Sequence, residues 1–384
     1  MNNKQSKNSS FVFLPIFLSF FVMGFVDIVG VSTNYVKRDF SLSDSMANLL
    51  PMMVFIWFAV FSVPTGILMG KIGRKKTVML SLVITAVTML LPLFFYSYFG
   101  VLFSFALLGI GNTILQVSLN PLAATSVSKD KLTSTLTMGQ FIKAISSFLG
   151  PILVGQAASK LDNWRLTLLL YCITTVVSLA VLYFAQIKES ETVEKPSSFK
   201  EILSLLKDKF LVYCIIVIIL IVGIDVALNT SIPKLLMERT GMLLDDASLG
   251  TSLYFAARTI GTFIGAILLM KLSPVKFLRF SLIFAILAFV GMMIFSSVWM
   301  LLVMIGIIGL ACANVFPIIF SLALQHDMKH SNEISALMIM GVSGGALLSP
   351  LQGLITDIST FTTGMVVIVA ALLTIGFISF KFKS

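Results

Sequence analysis

Charge is what this chain has least of. Only 11% of its 384 residues are Asp, Glu, Lys or Arg, against about 25% in a soluble domain. A fold with so few charges cannot cover itself for water, so most of its surface must be solvated by lipid. Histidine is nearly missing, with His326 and His330 alone, and cysteine stops at three. Cys172, Cys214 and Cys312 each fall inside an apolar stretch with no metal-like spacing. They read as small core residues, not as disulfides or ligands. His326 and His330 stand four apart, as two metal ligands can, but in a polar loop that reads as solvated. No nucleophile–base pair lies in the apolar stretches, so the chain is not expected to be an enzyme, and no cofactor or metal is expected.

What it has is apolar length: 58% of its residues are hydrophobic. One helical crossing takes ~20 apolar residues, and about twelve such stretches follow one another with short polar breaks. They fall near 11–40, 47–69, 76–96, 98–122, 135–158 and 165–187, then 209–235, 247–270, 275–295, 298–322, 333–355 and 359–381. Runs of this length mean helices, not barrel strands. The first resembles a secretory signal, but it is too long, carries Asp27 and lacks a small-residue cleavage site, so it is expected to be retained. The expected fold is an all-α integral membrane protein of twelve transmembrane helices in two pseudo-symmetric six-helix bundles. These are 1–187 and 209–384, joined by the charged segment 188–208. Within that linker Phe199, Ile202, Leu203 and Leu206 recur at helical spacing, which suits either a short interfacial helix or a solvated tether.

Lys and Arg in the loops set the orientation. With the N-terminus inside, the cytoplasmic loops and tails hold 19 of them and the opposite loops 6, with Lys143 and Arg258 left in spans. Both termini are therefore expected in the cytoplasm, with the chain in the plasma membrane as a multi-pass monomer. The net charge of +10 follows from this topology and does not signal nucleic acid.

The two halves repeat. Asp27 and Asp225 are 198 residues apart, Gly66 and Gly265 199, Lys71 and Lys271 200, and Pro151 and Pro350 199. Asn120-Pro121 in the fourth span is echoed by Asn314 and Pro317 in the tenth. Several pairs at nearly one offset indicate a duplicated six-helix unit. Parallel repeats of this kind are a transporter architecture, with substrate bound near the midplane between them.

Polar residues inside the spans then mark the candidate site. An acid at mid-span costs roughly 2.5–3.5 kcal/mol on insertion scales, so Asp27 and Asp225 are candidates for proton coupling. Asn34 lies seven residues beyond Asp27, on nearly the same azimuth. Asn112, Gln116 and Asn120 form an i, i+4, i+8 stripe; Gln140 and Lys143 are i, i+3, with Ser147 a turn on. Asp225 and Asn229, and Tyr254 and Arg258, are i, i+4 pairs, and Asn314 and Gln352 complete the set. Amides and hydroxyls dominate, as a neutral polyhydroxyl ligand requires. Single polar residues in spans also glue helices together, and Lys143 and Arg258 also suit structural ion pairs with an aspartate.

The loop after the second span, Gly66-Ile-Leu-Met-Gly70-Lys71-Ile-Gly73-Arg74-Lys75-Lys76, resembles the signature of the major facilitator superfamily, with Gly70 where an acid is usual. Lys71-x-Gly73-x-Lys75 is similar to the variant in its fucose and glucose/galactose proton symporter branch. So are Leu115-Gln116-Val117-Ser118-Leu119-Asn120-Pro121, Gly223-x-Asp225-Val226, Arg258-Thr259-x-Gly261-Thr262 and Phe316-Pro317. Those symporters carry an acid where this chain has Gln116, and their first-span acid falls about a turn beyond Asp27. The resemblance implies proton-coupled uptake of a monosaccharide by alternating access, with the proton site moved to Asp27 or Asp225. Export of hydrophobic or cationic compounds, or carriage of a sugar acid or other small anion held by Lys143 and Arg258, stays open as an alternative.

Overall fold

The computed structural model describes residues 3–42, 44–187, 198–242, 244–344, 348, 351–352, 355 and 361–382, and the side chains of most of them. The first span is α1 (Asn3–Met23), a 3₁₀ turn (Gly24–Asp27) and α2 (Ile28–Asp39). Then come α3 (Asp44–Ile72), α4 (Arg74–Phe94), α5 (Tyr98–Thr125), α6 (Lys129–Leu161) and α7 (Leu166–Phe184). A short α8 (Phe199–Ser204) precedes α9 (Lys209–Thr240), α10 (Leu244–Leu268) and α11 (Pro274–Ile294). The tenth span is broken into α12 (Val298–Cys312) and α13 (Val315–His326), followed by α14 (Ser331–Met340) and α15 (Phe361–Ser379). Ten spans are long and apolar enough to cross a membrane among the described residues. α14 and α15 fall within the last two of the twelve stretches read from the sequence.

The linker helix α8 starts with a capping box, Ser198 Oγ accepting from the Glu201 N–H and Glu201 from the Ser198 N–H. Its single buried residue, Ile202, sits against Gly66 of α3, while Phe199, Leu203 and Leu206 stay exposed. One side chain of the helix is thus packed, and the neighbouring apolar ones are left exposed.

Three prolines inside helices share one pattern. Each internal proline removes the N–H that the carbonyl four residues earlier needs, and in lipid that carbonyl must find another donor. Pro92 frees the Thr88 carbonyl, which accepts from Ser104 Oγ at 2.9 Å. Pro121 frees the Val117 carbonyl, which accepts from Ser335 Oγ at 2.6 Å. Pro233 frees the Asn229 carbonyl, which accepts from Thr251 Oγ1 at 3.3 Å. Pro317 leaves Ala313 without its donor, and there α12 and α13 separate at a turn. A hydroxyl from a neighbouring helix thus both repairs the backbone and pins two helices together.

The described chain gathers into two compact units that do not follow chain order strictly. The first is Met1–Ser128, Ile142–Leu205 and Asp327–Met340. Within it α14 packs on α3 and α5: Gly66 faces Ala336, and Arg74 donates to Asn332 Oδ1 and Ser331 Oγ at 2.7 and 2.6 Å. The second is Lys129–Phe141, Leu206–His326 and Gly341–Ser384. There the start of α6 meets its neighbours through Ser134 Oγ on the Ala266 carbonyl (2.5 Å) and the Phe141–Phe263 ring pair.

One end of the first unit is stapled by a single carboxylate. Asp39 accepts from Tyr96 Oη at 2.5 Å, from Trp164 Nε1 at 3.3 Å and from Arg38, so α2 and the loops after α4 and α6 share one acceptor. Arg165 lies 4.2 Å over the Tyr96 ring. A polar cleft of about 240 Å³ opens beside them. Burial, and then the bond to Asp39, push the Tyr96 phenol up to about 12. A raised phenol stabilises the fold below its unfolded value of about 10 and loses that contribution as pH rises through about 12. Phenolate absorbance of the native protein minus that of Tyr96→Phe is expected to show one group titrating near 12. A difference curve centred near the ordinary tyrosine value removes the staple.

Candidate functional site

The polar residues fall into one centre in each unit. In the first, everything starts from the 3₁₀ turn that interrupts the first span. A Cβ on Gly24 would lie 2.6 Å from the Lys143 carbonyl and 2.8 Å from Ser146 Cβ, so only glycine lets the turn press onto α6. The 3₁₀ turn starts at Gly24, and Asn112 Nδ2 donates to the carbonyl of the residue before it, Met23, at 2.9 Å. Asn112 Oδ1 accepts from Gln116 Nε2 at 2.7 Å, and Asn120 Nδ2 donates to the Gln116 carbonyl at 2.9 Å. All three amides are buried, and these bonds tie α5 to the break and to itself.

Asp27 closes the turn and points away from this packing. It is exposed and accepts a hydrogen bond from Ser147 Oγ of α6. Lys143, one turn before Ser147, is half-buried, and among the described residues it pairs with no carboxylate. Asp27 likewise has no cationic partner among them. The side chain of Asn34 lies outside the described residues. Gln140 is half-buried and belongs with Lys129–Phe141 to the second unit.

The second centre is made by α9 and α10. Asp225 Oδ2 forms an ion pair with Arg258, and Oδ1 accepts from Tyr254 Oη at 2.5 Å. Tyr254 is fully buried, while the side chains of Asp225 and Arg258 keep 12% and 23% of their exposure. Asn229, one turn after Asp225, is exposed. Small residues hold α10 against the tenth span: a Cβ on Gly309 would lie 2.5 Å from the Tyr254 carbonyl, and one on Gly261 2.8 Å from the Leu310 carbonyl. Asn314 Nδ2 donates to the Gly261 carbonyl at 2.9 Å. Gln352 is buried and donates to Ser231 Oγ at 2.7 Å.

Of the two candidates, then, Arg258 is in an ion pair with an aspartate, and Lys143 is in none among the described residues. The histidines pair separately: His326 Nε2 lies 2.8 Å from Asp208 and His330 Nδ1 2.6 Å from Asp327. Phe210 also stacks on the His326 ring. Burial pushes the Asp208 carboxyl up, but the bonds from His326 and the Phe210 N–H outweigh it and hold it below the usual carboxylate range. Among the described residues no three metal-binding side chains gather. Sequence reasoning missed Ser231 and the Asp39 staple. Ser231 stands in the same helix as Asp225 but off its face, and Asp39 carried no signal beyond its place beside Arg38.

A family model described as the Major Facilitator Superfamily matches residues 15–350. The glucose/galactose transporter of Brucella abortus is 26% identical over 373 residues, covering 92% of this chain and 89% of its own. The nitrite extrusion protein of Bacillus subtilis is 25% identical over 268 residues, covering 67% and 65%. The structure of the E. coli fucose:proton symporter FucP superposes with a TM-score of 0.81 over 97% of this chain and 98% of its own, at 17% identity, a likeness of fold. By that match across most of its length the chain belongs to the Major Facilitator Superfamily, and it is a multi-pass membrane transporter rather than an enzyme.

Proposed function

We propose that the protein is a secondary active transporter that takes up a neutral monosaccharide together with a proton by alternating access. The observation that carries this reading is the unequal state of its two acids. Asp225 has one oxygen on Arg258 and the other on Tyr254. Asp27 is exposed at a helix break, accepts from the Ser147 hydroxyl and has no cationic partner among the described residues. An acid at mid-span with no cation beside it is the group that can load and unload a proton. Because a carboxyl passes through a dry state more easily when neutral, proton release and substrate release coincide. Asp27 is therefore assigned to the proton, and Asp225, Asn229, Tyr254 and Arg258 to the substrate. The names of the Brucella and E. coli relatives support sugar and proton respectively.

In this reading the repeated halves 1–187 and 209–384 are the duplicated units, and both termini face the cytoplasm from the plasma membrane, as the lysine and arginine asymmetry supports. A second reading, a small-anion carrier, is favoured by Lys143, a half-buried cation with no carboxylate partner among the described residues.

Uptake by proteoliposomes tests both. With a panel of labelled monosaccharides, at least one is expected to accumulate above equilibrium only when the lumen is made alkaline. Accumulation indifferent to the pH gradient removes the proton. Accumulation restricted to anions removes the sugar.

A further inference from the structure

The Asp225 centre holds a second piece of information, about charge. Arg258 carries five N–H donors, and among the described residues its one ionic partner is Asp225. Its side chain keeps 23% of its exposure, about twice that of the acid it pairs with. The guanidinium is therefore neutralised yet not used up. Tyr254 adds no charge and gives its hydroxyl proton to Asp225 at 2.5 Å. Gly309 packs against the Tyr254 carbonyl, which fixes the turn of α10 that carries both groups. A ligand meeting this face finds spare donors with no net positive charge behind them. Hydroxyl oxygens suit that surface. A carboxylate or nitrate does not, because it must sit beside an acid that already holds the cation, and like charges brought together repel.

We infer that Asp225 sets the charge class of the substrate: by neutralising Arg258 it excludes anions and leaves guanidinium N–H groups for the oxygens of a neutral sugar. This rests on the uptake reading given above. Removing the acid's charge turns the same centre into an anion site, with Arg258 unmatched and Tyr254 still beside it.

The probes are D-glucose and D-glucuronate, which share a ring and differ by a carboxylate. The purified full-length protein is unfolded thermally in detergent across a concentration series of each. Asp225→Asn keeps the side-chain size and an acceptor for Tyr254. It is expected to gain a saturable glucuronate stabilisation with an apparent affinity about tenfold or more above that of the native protein. Arg258→Gln placed on top of Asp225→Asn is expected to erase that gain. Asp225→Ser removes the same charge with a different side chain and is expected to show it too. Asparagine and serine variants no more responsive to glucuronate than the native protein overturn the inference, and so does a gain that survives loss of Arg258. Failure of the native protein to respond to any neutral sugar would remove the sugar reading, while the change in anion response still decides the role of Asp225.

Discussion

Asp27→Asn is expected to abolish accumulation of substrate against its gradient and to leave exchange across the membrane in place. A proton gradient of one pH unit is worth about 1.4 kcal/mol per proton, or tenfold in concentration. A one-to-one symporter working on two units therefore sustains about a hundredfold accumulation, and the variant is expected to reach the same concentration on both sides. Asparagine keeps the length of the side chain and an oxygen for Ser147 Oγ, so the helix break and its packing on α6 are preserved. It is also permanently neutral, the state in which the loaded carrier crosses, and so the conformational cycle itself is not blocked. Efflux, counterflow and pH-driven uptake measured on the same proteoliposomes separate these steps. Ser147→Ala loses only the hydroxyl that orients the carboxyl and is expected to slow uptake without reducing its final level. Continued accumulation by Asp27→Asn would move the proton to another group, and Asp225 would be the next to test.

The fold was legible because its signals are additive along the chain. Apolar runs of about 20 residues set the spans, and loop lysines and prolines punctuate them. The repeated spacing could be read from the sequence because residues such as Asp27 and Asp225 are rare enough in spans for an offset of 198 to carry weight. Contacts between helices were less visible. Pro92, Pro121 and Pro233 announce that a carbonyl is orphaned, but nothing in the sequence says that Ser104, Ser335 and Thr251 supply the missing donor. Serine and threonine are common in these spans, and a hydroxyl looks the same whether it bonds its own helix or a neighbour. The stripe of Asn112, Gln116 and Asn120 had the same ambiguity. Its spacing placed the amides on one face, but the 3₁₀ turn beside the Met23 carbonyl, to which Asn112 donates, gives no periodic signal. The i, i+4 spacing of Tyr254 and Arg258 put them on one face, and an ion pair of Arg258 with an aspartate was one of two open readings; the structure pairs it with Asp225, which also accepts from Tyr254.

Arg258→Gln is expected to be the most damaging single change in the second unit. Removing one partner of a buried ion pair costs about 3–5 kcal/mol, because the other charge is left without a counterion, whereas replacing both is often close to neutral. Here the acid is the more enclosed of the two, with 12% exposure against 23% for the arginine, so losing Arg258 is expected to hurt more than losing Asp225. Arg258→Gln with Asp225→Asn should recover most of the loss, giving a coupling energy of about 2–3 kcal/mol in the double-mutant cycle. The protein carries its own reporter for this measurement. Cys172, Cys214 and Cys312 are all free and buried, so a thiol-reactive fluorogenic dye is silent on the folded protein and lights up as it unfolds. Strictly additive losses would mean that Asp225 and Arg258 do not act as one neutral unit. The centre would then not present its donors to a ligand as an uncharged pair.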